Sequence, residues 1–308
     1  MKKTRLIVPS DTDDALKGFN ISEAFGSRSE YEEFVNRAEV EGSAVHTGDG
    51  SVAERDPARL EGLRMLMVLM AHPFFALSRR TTPINYSSTD ASIFVKIEPG
   101  PDGMATIHDA DLLMYVIDSI ATAGADVDRE LVIKPGDILR ATGAATGGPQ
   151  YKALAQAVAR LTTTRVTTNV QPDGTPGPVV AFTWLEGAER LGKNLQVTVP
   201  TWIAEGARSS AVLKLSSSYF DLRGLSRGIY LVARKHVGQQ DRPWPIRASK
   251  LWAKLGSTDS LPHFRHSLKK LATADQLPDF RLGWEDGPDG MLSVTRRRAG
   301  RANPIVVT

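Results

Sequence analysis

Leu261–Arg301 reads LPHFRHSLKKLATADQLPDFRLGWEDGPDGMLSVTRRRAGR, and its periodicity changes once, from helical to strand-like. Phe264, Leu268 and Leu271 fall at i, i+4 and i+7, which at about 100° per residue makes one apolar stripe. The same geometry sets His266, Lys269, Lys270 and Thr273 on the opposite side, with His263 and Arg265 at the flanks. Phe280–Trp284 and Met291–Arg297 are β-prone runs joined by the turn-forming Glu285–Gly290. A basic helix leading into a hairpin is the end of a winged helix-turn-helix.

The missing helices lie just upstream. Ser226–Val237 carries Ile229, Tyr230 and Ala233 on one side, and Ala248–Leu255 carries Leu251, Trp252 and Leu255. A break at Gly256–Ser260 then opens the basic helix. Such a module places its third helix in a major groove and its wing along the backbone. Charge agrees: residues 214–308 carry a net +9, whereas residues 1–72 and 73–213 carry −4 and −2. Positive charge collected in one third of a chain is the footprint of a nucleic-acid partner.

Composition closes off other classes. The 308 residues are 41% apolar, enough for two ordinary cores, and contain no cysteine. That excludes disulfides, thiol nucleophiles and cysteine-ligated metal. MKKTRLIVPSDTDD meets acidic residues before any signal-like apolar stretch, and Met65–Ala71 is too short to span a bilayer. A cytoplasmic, nucleoid- or plasmid-associated protein without membrane contact is expected. Residues 1–71 are expected to be a flexible, partly helical extension, with helices near Ser29–Ala38 and Arg59–Met70.

The middle of the chain repeats the pattern. A helix follows Asp109, a plausible N-cap, and carries Leu112, Leu113, Val116, Ile117 and Ile120. Next come a strand at Leu131–Ile133, a short helix at Pro135–Ala141, a helix at Pro149–Leu161, and β-prone runs at Thr162–Val170 and Val179–Leu185, read as its hairpin. IKPGDILRATG at Ile133 and IRASKLWAKLG at Ile246 share their end residues. Tyr151, Ala155 and Val158 precede Phe264, Leu268 and Leu271 by 113 positions each, and Tyr115 precedes Tyr230 by 115. A near-constant offset across three elements predicts a duplicated fold. The expected class is α+β: two tandem winged helix-turn-helix domains related by a pseudo-repeat, behind a mobile extension. Residues 72–210 form the first domain, for dimerisation, DNA contact or both. Residues 211–308 form the second, the main DNA-binding head.

Three phrases, HPFFALSRRTTPINY at His72–Tyr86, MATIHDADLLMYV at Met104–Val116 and YFDLRGLSRGIYLVARKHVG at Tyr219–Gly238, carry a resemblance to the plasmid replication initiator protein A family. It spans roughly residues 72–298. The resemblance implies binding to repeats (iterons) in duplex DNA at a plasmid origin, opening of nearby duplex, monomer and dimer forms, and recruitment of host replication proteins such as a helicase or host initiator. Residue patterns alone stop at a two-headed protein that binds duplex DNA.

The residues expected at DNA are Arg247, Lys250, His263, Arg265, His266, Lys269 and Lys270 in the second head. Arg281, Arg296, Arg297 and Arg298 are expected at its wing, and Gln150, Lys152, Gln156, Arg160 and Arg165 in the first head. Lysine and arginine donate to guanine or neutralise phosphate. No catalytic residue, metal or cofactor is expected. His263 and His266 lack a third ligand, and His108, Asp109 and Asp111 sit where a helix starts and are read as capping. The Gly143–Gly148 loop lacks a Gly-Lys-Ser/Thr ending. Trp184, Trp244, Trp252 and Trp284 are read as core or hinge. The rival readings are a transcriptional regulator on an operator and an enzyme acting on DNA, the latter without visible carboxylate clusters or nucleophile.

Overall fold

The computed structural model describes residues 62–124, 129–238, 240 and 242–297. Residues 1–61 of the expected extension (residues 1–71) and the cations Arg298 and Arg301 lie outside them, whereas residues 62–71 are described and bury Met65, Leu66, Val68, Leu69 and Met70 in the core. Strand β1 (Arg64–Leu66) and helix α1 (Met67–Ala71) come first, then strands β2 (Ile84–Ser87) and β3 (Phe94–Glu98) and helix α2 (Ala110–Ala123). Next are strand β4 (Glu130–Ile133) and helices α3 (Pro135–Ala141) and α4 (Gly148–Thr163). Hairpins β5 (Arg165–Val170)/β6 (Pro176–Thr183) and β7 (Gly187–Leu191)/β8 (Asn194–Thr198) follow, with helix α5 (Thr201–Arg208) and strand β9 (Val212–Lys214) after them. A 3-10 turn at Ser217–Asp221 leads to α6 (Gly224–His236), β10 (Trp244–Arg247), α7 (Ala248–Lys254), α8 (Leu261–Ala274), β11 (Phe280–Glu285) and β12 (Met291–Arg296). The chain is thus a mixed α+β protein in which the strands among the described residues form four small antiparallel sheets.

Two stretches repeat one topology. In both, a long helix is followed by strand, short helix, long helix and hairpin, and the hairpin closes a three-stranded sheet on the first strand. The orders are β4-β8-β7 and β10-β12-β11. The registers correspond: Ile133 lies opposite Leu195 as Ile246 lies opposite Leu292, and all four side chains are buried. Helices α3 and α7 are each seven residues long, and 113 positions separate both their starts and those of α4 and α8.

The repeat corrects the hairpin expected in the first stretch. β5/β6 does not close that sheet. Its β5 pairs with β3, Val95 opposite Thr168, in a separate sheet ordered β2-β3-β5-β6. The closing hairpin is β7/β8, twenty-odd residues later. Local pattern favours the wrong one: RVTTNV is rich in β-branched residues, whereas GAERL has none and reads as helix or loop.

Two further strands escape local reading. Arg64–Leu66, expected inside a helix, is extended because it pairs with Val212–Lys214, a partner invisible to periodicity. Trp244–Arg247 contains Pro245, which argues against a strand, yet β10 is a sheet edge, where the missing N–H is tolerated. The core runs without a break through both stretches. At its centre Trp184 is fully buried, stacked on Phe75 at 4.5 Å and edge-on to Phe74 and Phe182. Among the described residues, no helix is long and apolar enough to cross a membrane.

Candidate nucleic-acid interface

Helix α8 is fixed at both ends. The Ser260 side chain accepts from His263 N–H at its start, Pro262 occupies the first turn, and Asp275 ends it in a left-handed conformation at φ 47°. Phe264 and Leu268 are fully buried, so the rotation of the helix is set by its apolar stripe. That rotation leaves His263, His266, Lys269, Lys270 and Thr273 exposed together, with Arg247 and Lys250 exposed at the start of α7. The side chains expected to meet DNA therefore stand on one solvated helix and its neighbour.

Several of them are already engaged. Arg265 donates to the carbonyls of Pro288 (2.8 Å) and Gly287 (2.6 Å), tying the helix to the hairpin tip. Lys269 Nζ binds both carboxylate oxygens of Asp286 at 3.0 and 2.7 Å, and Trp284 Nε1 donates to the same carboxylate. These bonds from Lys269 and Trp284 hold Asp286 below the usual carboxylate range. On the other side of the tip, Asp289 accepts from Ser249 N and Oγ at the start of α7. Gly290 is required here: at φ 75°, a Cβ would lie 2.4 Å from the Trp284 ring. The β11/β12 tip is thus acidic and fastened to both helices.

Arg297 serves the scaffold. It donates to the carbonyls of Leu277 and Asp275 and pairs with the Asp275 carboxylate at 2.9 Å, bracing the end of α8. Arg281 is exposed and lies 3.6 Å from the same carboxylate, and Arg296 is exposed.

The first stretch presents a different face. Subtracting 113 from His263, His266, Lys269, Lys270 and Thr273 gives Gln150, Ala153, Gln156, Ala157 and Arg160, and all five line a cleft of about 520 Å³. Its other walls come from Ser78 and Arg79, the start of α2, α3, and residues Phe220, Asp221, Arg223 and Arg227, from the end of the 3-10 turn into the first turn of α6. Gln156 accepts from Arg79 at 3.1 Å. Arg160, expected at DNA, is only 8% exposed and grips Asp109 through Nε and Nη2 at 2.8 and 2.7 Å. Its cation is spent inside the fold. Arg165 sits on β5, inside the β2-β3-β5-β6 sheet and opposite Glu98 and Thr183. Of the residues expected in this head, Gln150 is half-buried and Lys152 is exposed.

Asp109 also overturns the capping reading. It makes no side-chain cap bond; its carboxylate accepts from Thr106 N and Oγ1 and from Arg160. Asp111, two residues on, pairs with Arg227 at 2.6 Å. Arg227 is 2% exposed, donates to the carbonyls of Leu222, Phe220 and Ile107, and lies 4.8 Å over the Tyr219 ring. It joins α6 to the start of α2 and closes one wall of the cleft. Beside it, His108 Nε2 accepts from Gly224 N–H, and burial together with Arg227 and Arg223 lowers its pKa to about 4.

Sequence reading missed two cations on β7/β8: Arg190, which donates to Gly192 O at 2.9 Å, and the exposed Lys193. The signal was present in Leu191-Gly192-Lys193-Asn194, a two-residue turn between short strands.

A family model described as Replication initiator protein A matches residues 66–282. A protein of Wigglesworthia glossinidia brevipalpis whose name assigns it to replication is 29% identical over 240 residues, 74% of this chain and 86% of that protein. Among solved structures, that of domains 2 and 3 of RctB aligns with a TM-score of 0.50 at 12% identity, covering 79% of this chain and 99% of the other. That likeness is one of fold.

Proposed function

The chain belongs to the replication initiator protein A family, and from that premise we propose that it initiates plasmid replication by binding repeated duplex sites (iterons) at an origin. Binding promotes opening of the adjacent duplex and recruits host replication proteins. In this reading the two repeated stretches are tandem winged helices. Residues 211–308 form the main reading head, and residues 72–210 form a head that serves assembly and contacts DNA in part.

The observation that carries the proposal is the exposed face of α8, where His263, His266, Lys269 and Lys270 stand together beside Arg247 and Lys250. A helix immobilised by Phe264, Leu268 and two defined ends presents these groups at fixed spacing, as major-groove reading demands. The same cations neutralise phosphates, so affinity falls steeply with salt.

The test is binding at fixed salt to tiled DNA from the replicon that encodes the chain, with shuffled duplexes as competitors, alongside establishment of a plasmid bearing the selected region. Tight binding to direct repeats and dependence of the plasmid on the protein are expected. Binding to a single inverted repeat, without support of replication, favours a transcriptional regulator. Binding no tighter than to shuffled DNA defeats sequence-specific recognition.

A further inference from the structure

Where the two stretches meet, basic groups from separate elements gather without a counter-ion. His72 follows α1, Lys235 and His236 end α6, and Lys250 and Lys254 stand one turn apart on α7. The charges acting on His72 are Lys254, His236 and Lys235, and those acting on His236 are Lys254, Lys235 and Lys250. Among the described residues, none of the five pairs with a carboxylate. Lys254 is the least satisfied of them. Its ammonium has three N–H donors, of which one meets a protein acceptor, the neutral Ala71 carbonyl at 3.0 Å. Burial, then Lys250 and Lys235, lower its pKa to about 8. An ammonium drawn out of water without a carboxylate is costly, and the frame around this one is fixed. The His236 ring stacks on Trp244 at 4.7 Å and 5°, and the His72 ring lies 5.6 Å from Tyr86. His72 Nδ1 and His236 Nε2 are buried with no hydrogen-bond partner. An orphaned N–H is worse than an orphaned lone pair, so each neutral ring carries its proton on the other nitrogen, and both rings are partly exposed. Two imidazole N–H groups and two ammonium N–H groups thus lack acceptors. The carbonyl end of α6 favours cations in its last turn, which explains Lys235 but not Lys254 or His72, brought in from elsewhere.

We infer that this seam is a phosphate site, in which Lys254, the outer N–H groups of His72 and His236, and the longer reach of Lys235 and Lys250 hold one phosphate of the DNA backbone. This rests on the origin-binding reading and extends it to a contact that both stretches share. Arg247 and Lys250 stand exposed beside the face of α8, and Lys254 lies about 6 Å further along α7. A backbone held at Arg247 and Lys250 therefore meets the seam one helical turn later.

The test uses the full chain and a duplex that it has itself selected from random-sequence DNA, titrated at constant ionic strength from about pH 7 to about pH 9.5. The Lys254 charge is present below about pH 8 and lost above it, so the affinity of the intact chain is expected to fall about fivefold between about pH 7 and about pH 9. An ordinary histidine titrates below this window and an ordinary lysine above it. Lys254→Arg, charged throughout, is expected to bind as tightly at neutral pH and to give a flat profile. Lys254→Met is expected to bind about fivefold more weakly at neutral pH, to lose the pH dependence, and to lower the slope of log affinity against log salt by about 0.9. A fall with pH that persists in Lys254→Arg, or an unchanged salt slope in Lys254→Met, overturns the site while leaving origin binding intact. Sub-millimolar binding of inorganic phosphate in calorimetry without DNA, combined with a Lys254→Met chain that binds the duplex as the intact chain does, assigns the site to free phosphate and overturns the backbone contact. Failure to select any duplex overturns the origin-binding reading, and the backbone contact with it.

Discussion

Helices α4 and α8 occupy the same place in the same topology, yet α8 shows its outer face to open solvent and α4 to a cleft, in which Gln150 and Gln156 are half-buried and Ala153 stays exposed. On α8 that face carries His263, His266, Lys269 and Lys270. On α4 the matching positions are Gln150, Ala153, Gln156 and Ala157, and the fifth, Arg160, is neutralised by Asp109. Duplication kept the apolar stripe: Tyr151, Ala155 and Val158 stand at the positions of Phe264, Leu268 and Leu271, and the middle pair, Ala155 and Leu268, is buried in both. It did not keep the charge. A buried stripe is constrained by packing on every side, whereas an outer face is free to change with whatever comes to cover it. Here the cover is the α6 lead-in, fastened by Arg227.

Arg227→Met attacks that cover directly. Removing one partner of a buried pair leaves Asp111 uncompensated and costs about 3–5 kcal/mol, so urea unfolding should shift to a much lower midpoint. If Arg227 is what shuts the α4 face, amide exchange within residues 157–162, all buried, rises before global unfolding. Exchange that rises equally throughout the chain would mean that the residue stabilises without closing anything. Next in size is a charge reversal on the open face. His266→Glu with Lys270→Glu should weaken binding to a selected site about 100-fold, since each base or phosphate contact is worth about 1–3 kcal/mol. Gln150→Glu on α4 should cost about twofold or less. Equal losses in a gel-shift titration would show both helices reading DNA and erase the distinction.

The open face was legible in the sequence and the closed one was not, and the reason is physical. Apolar positions at helical spacing fix which side of a helix is outward from its own element, and that much is local. Whether another element then covers the outward side depends on contacts such as Arg227 with Asp111, 116 residues apart, or Arg79 with Gln156, 77 apart. The duplication itself was visible through its constant offset. The hairpin was misplaced because strand propensity in RVTTNV is stronger than in GAERL, although only the latter pairs with the strand that closes the sheet. Arg160 looked like a DNA contact because periodicity places it outward; its partner, Asp109, looked like a helix cap for an equally local reason.

The seam between the two stretches also differs from the open face in its response to acid. His72 stands beside His236 and Lys254, while Lys254 Nζ donates to Ala71 O at 3.0 Å. Burial, followed by Lys254 and the neighbouring Lys235, lowers the pKa of both His72 and His236 to about 4. Burial, then Arg227 and Arg223, does the same for His108. The folded chain therefore keeps all three neutral, whereas the unfolded chain takes up protons as the pH falls through about 6.5. Their contribution is complete above about pH 6.5, is lost progressively down to about pH 4, and is constant below that. The double variant His72→Leu/His236→Phe should flatten the stability profile across this window in urea titrations. A slope identical to that of the intact chain would place the acid sensitivity elsewhere.

The smallest expected effect concerns the tip of the second hairpin, and it has the opposite sign. Asp286 is exposed and binds Lys269, so DNA must compete with a carboxylate for one cation of the reading face. An exposed pair is screened by solvent and contributes little to stability, and Asp286→Asn should therefore leave stability nearly unchanged. Freed of its partner, Lys269 becomes available to a phosphate, so binding at low salt should tighten about two- to fivefold. The dependence of log affinity on log salt should steepen by about 0.9, the increment for one additional phosphate neutralised. The matching position on α4, Gln156, carries no charge to release, so no substitution on the β7/β8 tip can produce this gain. An unchanged slope in Asp286→Asn would place Lys269 outside the DNA contact and leave His263, His266 and Lys270 as the reading set of α8.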